Sequence, residues 1–185
     1  MFKVNYSKKE IAELKEFHGE YTAEMVLESV NTFFDYDHEA GRLRWTDTDN
    51  HDILPAHIRR RCRRGSLVGT LGTGGYECST HIGGHRTNVL ALIWEHQTGD
   101  KSQNVMTLRP NQKEFRIDEL CLFPSDFVIK PKRRAASQVV VSYSYERKQF
   151  VVIDVDYDYN KKVVSYHDQL FEAKIAAENP QVSFL

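Results

Sequence analysis

The apolar positions of the first forty residues recur with a helical period. Ser7 followed by Glu10 reads as a capping box, and Ile11, Leu14, Phe17 and His18 follow at helical spacing before Gly19, predicting a helix over about residues 8–18. Thr22 is placed to cap a second helix, with Met25, Val26, Val30, Phe33 and Phe34 on one face. At "FFDYDHEAGRLRW" the period changes. A polar turn at Glu39 to Gly41 leads into the alternating Leu43 and Trp45, a hairpin or strand start. Glycine-punctuated strand material follows in "GSLVGTLGTGGYECSTHIGGHRTN", with Gly83 and Gly84 suited to a tight turn. "VLALIWEH", Val89 to His96, predicts a short buried helix closed by Gly99. Beyond the basic stretch "KPKRRAAS", the segment "QVVVSYSYERKQFVVIDVDYDYNKKVVSYHD" predicts three strands joined at Arg147-Lys148 and Asn160-Lys161. "QLFEAKIAAE" predicts the closing helix.

These elements define an α+β chain in three parts: an acidic helical pair over residues 1–34, a hairpin-and-helix middle over 35–128, and a three-stranded antiparallel sheet packed by one helix over 136–185. No apolar run approaches the roughly 18 residues of a membrane span, and "MFKVNYSKKE" lacks the apolar stretch of a signal peptide. Cys62, Cys78 and Cys121 are widely spaced, form no CxxC pair and are odd in number, which suits a reducing compartment. A cytoplasmic protein without membrane partners is expected.

Charge divides along the same lines. Residues 1–40 carry 4 Lys/Arg against 9 Asp/Glu, residues 41–134 carry 16 against 10, and residues 135–185 carry 5 against 7. The net charge of -1 therefore conceals a basic middle between acidic flanks, and local field rather than total charge attracts a polyanion. The basic character concentrates in "RRRCRR", with Arg59, Arg60, Arg61, Arg63 and Arg64, and in a second cluster of Lys130, Lys132, Arg133 and Arg134. Guanidiniums at such density repel one another unless an anion is near, and they bind phosphate bidentately. With Arg86, these are the candidate nucleic-acid-binding residues. The competing readings are a solvated loop, an acidic protein partner, and pairing with the N-terminal helices. Those helices carry Glu10, Glu13, Glu16, Glu20, Glu24 and Glu28, which repel phosphate, so packing or partner contact is expected there rather than base reading.

The order of landmarks in the middle part, "FFDYDHEAGRLRW", "GSLVGT", "GGYECSTHIGGH", "LALIWEHQTGD" and "VMTLRPNQKEFRIDEL", resembles the small HNH endonucleases of bacteriophages over roughly residues 33–122. The resemblance implies a catalytic segment in which an Asp-His pair supplies a metal ligand and a general base, with an orienting Asn twelve residues after the His. Aligned on Val105 and Leu120, those positions hold Met106, Thr107 and Glu119, and the family's His-Arg before "LIW" is replaced by Leu90 and Ala91. Neither a thioether nor a neutral hydroxyl serves as a base near neutral pH. The last part is similar to the DNA-binding domain shared by plant ethylene-response factors and the C-terminal ends of many phage HNH proteins, on "RKQFVVIDV" and "FEAKIAAE". Here Asp154, Asp156 and Asp158 alternate, which predicts an acidic stripe on one sheet face that repels phosphate.

The expected function is that of a phage-type DNA-binding protein without nuclease activity, on single or double strands, serving phage transcription or replication. No catalytic residue, cofactor or metal is expected. One alternative is an interaction factor that inhibits or recruits a phage or host polymerase. The other is an active nuclease with displaced catalytic residues drawn from His81, His85 or His96. "CSTHIGGH" offers Cys78, His81 and His85 as zinc ligands, but strand parity sets Cys78 and His81 on opposite faces. "DVDYDYN" imitates a calcium loop without its glycine or its closing glutamate.

Overall fold

A reciprocal capping box opens the described chain: Glu10 N donates to Ser7 Oγ (3.3 Å) while Ser7 N donates to Glu10 Oε2 (2.7 Å), and Lys8 to Glu10 are helical. The computed structural model describes residues 7–10, 12–13, 23–71, 78–82, 84–102, 104–109, 112–122 and 137–179. The expected second helix is two short ones, α1 (Ala23–Glu28) and α2 (Val30–Phe33), separated at Ser29, whose φ of -111° and ψ of 41° leave the helical region. Val26, Val30 and Phe33 are buried as the periodicity predicts, whereas Phe34 already belongs to the first strand.

The middle of the chain is organised around one buried helix. Strands β1 (Phe34–Asp37) and β2 (Arg42–Trp45) form an antiparallel hairpin through the turn that ends at Gly41. Only glycine fits there: its φ is +57°, and a Cβ would lie 2.5 Å from the backbone nitrogen of Phe115. A 3-10 turn (Asp49–Ile53) and α3 (Ala56–Arg59) follow, then a three-stranded sheet of β3 (Thr70–Leu71), β4 (Cys78–Ile82) and β5 (His85–Asn88). The β4–β5 hairpin turns through Gly84 at a φ of +91°. Helix α4 (Val89–Thr98) starts where Asn88 Oδ1 accepts from Leu90 N (2.9 Å) and stops at Gly99 in the left-handed conformation. Its Val89 to Trp94 are all buried, so this helix packs on every side.

Five antiparallel strands make the second sheet, in the order β10-β9-β8-β7-β6, from β6 (Val105–Thr107), β7 (Leu120–Leu122), β8 (Ser137–Ser144), β9 (Gln149–Asp156) and β10 (Lys161–His167). The ladder continues across the stretch where the sequence places a boundary: Cys121 pairs with Ser142 and Leu122 with Val141, and buried Ser142 Oγ donates to Leu120 O (2.7 Å). Helix α5 (Leu170–Glu178) covers the face of this sheet that carries Phe150 and Val152, burying Ala173 and Ala177 in the same cluster as Phe33, Leu43 and Trp94. Each large apolar side chain so buried contributes roughly 1.5–3 kcal/mol. Val140, Val151, Ile153 and Val155 point to the opposite face and form a separate cluster with Leu108 and Cys121.

The expected aspartate stripe needs correction. Asp154 and Asp156 share their face with Phe150 and Val152, which is the face packed by α5, and Asp158 lies past the strand in the turn. Asp156 holds that turn, accepting from Asp158 N (2.9 Å) and Asn160 N (2.8 Å) at Oδ1 and from Asn160 Nδ2 (2.8 Å) at Oδ2. These hydrogen bonds hold its carboxyl below the usual carboxylate range.

Candidate nucleic-acid interface

The arginine cluster is presented by a loop that the residues before it make rigid. Thr48 caps the 3-10 turn through Asn50 N, and buried His51 donates from Nε2 to the Cys62 carbonyl (2.7 Å), tying the middle of the cluster back to that turn. Pro55 precedes α3, and Ile58 is driven into the core, which leaves the neighbours of Ile58 facing out.

The five guanidiniums then divide. Arg64 Nη2 donates to Asp52 Oδ2 (2.8 Å) and lies 3.9 Å from Asp49 Oδ1, while Arg59 Nη1 donates to the Asp52 carbonyl (2.9 Å). Burial pushes the Asp52 carboxyl up, but the hydrogen bond and charge of Arg64, with Arg59 and His51, outweigh it and hold the group below its usual range. Intramolecular pairing is therefore real, and among the described residues its acids come from the adjacent "TDTDNHD"; Glu16 and Glu20 lie outside the described residues. Arg60, Arg61 and Arg63 are exposed, and their guanidiniums make no hydrogen bond or ion pair with any described residue.

Arg60 and Arg61 border a cleft of about 380 Å³ between α3 and the β4–β5 hairpin. His57, Ile58 and Cys62 line it on one side, His81 and Gly84 on the other. Arg86 is the cross-strand partner of His81 and so stands on the same face of the hairpin. Sequence reasoning singled out Arg60, Arg61 and Arg86 but missed His57 as a neighbour of His81, because nothing in local spacing joins residues 57 and 81. Burial pushes the Cys62 thiol up to about 11 against the opposing charge of Arg61, so it is neutral and a poor nucleophile at neutral pH. Lys130, Lys132, Arg133 and Arg134 lie outside the described residues.

The three positions implied by the HNH resemblance do come together. Met106 pairs with Cys121 and Thr107 with Leu120 across β6 and β7, and Leu108 N donates to the Glu119 carbonyl (2.9 Å). Met106 is 46 % exposed. Glu119 is engaged elsewhere: Lys161 Nζ lies 2.6 Å from Oε1, and Gln112 Nε2 donates to Oε2 (3.2 Å).

Of the three displaced candidates, His96 uses both ring nitrogens within the fold. Nε2 donates to the Phe34 carbonyl (2.9 Å) and Nδ1 accepts from Gln97 Nε2 (2.8 Å). His81 and His85 are exposed on β4 and β5, and their registers, against Arg86 and Ile82 respectively, set them on opposite faces. Among the described residues no three His, Cys, Asp or Glu side chains are grouped as metal ligands. No described helix is long and apolar enough to cross a membrane.

Comparison of the chain with known protein families, with curated proteins and with solved structures finds no match.

Proposed function

We propose that this chain is a nucleic-acid-binding protein of the phage type that grips the phosphate backbone and does not cut it. The observation that carries this reading is the division of the arginine cluster: Arg59 and Arg64 engage Asp52 and Asp49, whereas the guanidiniums of Arg60, Arg61 and Arg63 have no counter-charge among the described residues, and Arg60 and Arg61 share a cleft with His57 and His81. A loop that only needed solubility would gain nothing from concentrating unpaired guanidiniums on one rigid turn, since their mutual repulsion is relieved only by an anion. The HNH-like segment serves as scaffold in this reading, because Met106 and Thr107 offer neither metal ligand nor base. Binding of a fluorescent oligonucleotide over a series of salt concentrations tests it. Affinity that falls steeply and log-linearly with salt is expected, and no measurable binding to any oligonucleotide at low salt removes the proposal.

A further inference from the structure

The cleft beside Arg60 and Arg61 is built differently from a surface that only rests on phosphates. Its floor is apolar: Ile58 is 3 % exposed and the half-buried Cys62 carries a neutral thiol. Its rim is cationic or polar, from Arg60, Arg61, His57 and His81, and among the described residues no carboxylate lines it. Beside His81, Gly84 leaves the wall open, since a Cβ there would meet nothing within 4 Å. The volume of about 380 Å³ falls within the span of small-ligand sites, about 300–1,000 Å³.

A duplex presents a convex phosphate rail with its bases held in the stack, so it would touch the rim and leave the floor to water. An unpaired strand can splay a base out of line and place it against apolar surface while its phosphate stays on the rim. We propose that the cleft seats one unpaired nucleotide of a single-stranded nucleic acid, with its phosphate on Arg60 and Arg61 and its base over Ile58 and Cys62. The proposal rests on the nucleic-acid reading above and narrows it to unpaired strands. Arg63, which is not part of the lining, contributes to phosphate attraction without distinguishing paired from unpaired strands.

The test compares anisotropy titrations of oligothymidylate, oligouridylate and a hairpin duplex of equal phosphate count at one salt concentration. Either unpaired strand should bind at least roughly ten-fold tighter than the duplex, the scale set by burying one base face. Arg60→Ala with Arg61→Ala should abolish that preference, whereas Arg63→Ala should weaken all three ligands by the same factor. All three arginines are exposed, so these variants fold. Thymidine 5′-monophosphate should also displace the strand at lower concentration than inorganic phosphate. Duplex binding as tight as single-strand binding overturns the nucleotide seat while leaving the broader nucleic-acid reading intact. Absence of binding to all three ligands overturns both.

Discussion

Lys161 and Glu119 form an ion pair of 2.6 Å that joins the β9–β10 turn to the 3-10 turn (Ile117–Glu119) entering β7, with the Lys161 ammonium also donating to the Asp118 carbonyl at 3.2 Å. The two side chains are 27 % and 24 % exposed, so the pair is better shielded than a surface bridge and is held by Gln112 as well. Glu119 occupies the place where the HNH resemblance implies an asparagine that orients a base, and here it clasps two hairpins instead. Lys161→Ala and Glu119→Ala should each cost about 1 kcal/mol in denaturant unfolding, and the double variant should cost clearly less than their sum. Strict additivity would remove the pair from the interactions that hold these hairpins together.

Tyr36 links the first hairpin to the segment that leads into that clasp. Its hydroxyl donates to the Phe115 carbonyl (3.1 Å) and accepts from Ile117 N (2.8 Å), close to where Gly41 takes Phe115 N against its own carbonyl. Tyr36→Phe takes the hydroxyl away from the backbone groups of buried Phe115 and Ile117 and should cost about 1–3 kcal/mol. Burial pushes the phenol well above its ordinary value of 10, with Ile117 N opposing and Asp118 adding to the rise. The unfolded chain releases this proton near pH 10 while the folded chain retains it, so stability is fully present below that pH and falls as pH rises above it. Urea midpoints followed through the alkaline range should fall less steeply for Tyr36→Phe than for the parent, and equal slopes would contradict this assignment.

The β1–β2 turn also meets the β8–β9 turn, through an aromatic stack. The His38 and Tyr145 rings lie 3.7 Å apart at 7°, and Lys148 Nζ sits 3.5 Å from the Tyr145 centroid, necessarily on the other ring face. His38 Nδ1 is buried without a hydrogen-bond partner. His38→Phe keeps the stack and removes the orphan nitrogen, so it should leave stability unchanged or raise it by up to about 1 kcal/mol, while Tyr145→Ala should cost about 1–2 kcal/mol. Thermal melts of the two variants give opposite signs on this account.

How much of this was legible from the sequence follows from the range of each interaction. The capping box at Ser7, the turn at Gly41, the helix from Val89 to Gly99 and the three strands ending at His167 depend on neighbours a few residues away, and pattern alone located them. The aspartate stripe failed because parity gives two faces without saying which one a helix will cover, and Asp158 had already left the strand. The pairing of Arg64 with Asp52 could have been anticipated from the acidic run just before the cluster. That His57 and His81 line one cleft, or that Glu119 meets Lys161, could not, because both relations span loops whose path only the packed core determines.

The HNH-like segment should be inert toward DNA. Cleavage of this kind holds a divalent ion against the scissile phosphate while an imidazole deprotonates water, and loss of the base alone costs on the order of two to four powers of ten. Met106 and Thr107 stand where the HNH resemblance implies ligand and base, and Glu119 is engaged by Lys161. A supercoiled plasmid incubated with the protein and magnesium, manganese, zinc or nickel should remain supercoiled. Metal-dependent nicking that vanishes in His81→Ala or His85→Ala would overturn this and put catalysis on the hairpin.

The division of the arginine cluster makes a prediction that separates binding from folding. Counterion release scales with the number of phosphates neutralised, so removing Arg60, Arg61 and Arg63 together should reduce the slope of log affinity against log salt by about 2–3 units. They are exposed, and their guanidiniums have no partner among the described residues, so the thermal midpoint should hardly move. Arg64→Ala should behave the other way. It releases Asp52 and Asp49 from their counter-charge, loosening the turn by about 0.5–1 kcal/mol, yet it removes a guanidinium already occupied by carboxylates and so should leave the salt slope nearly unchanged. Measured side by side, a large slope change from Arg64→Ala with little from the triple variant would mean that the acids release Arg64 on binding, and that the working face of the cluster is the one turned toward Asp52.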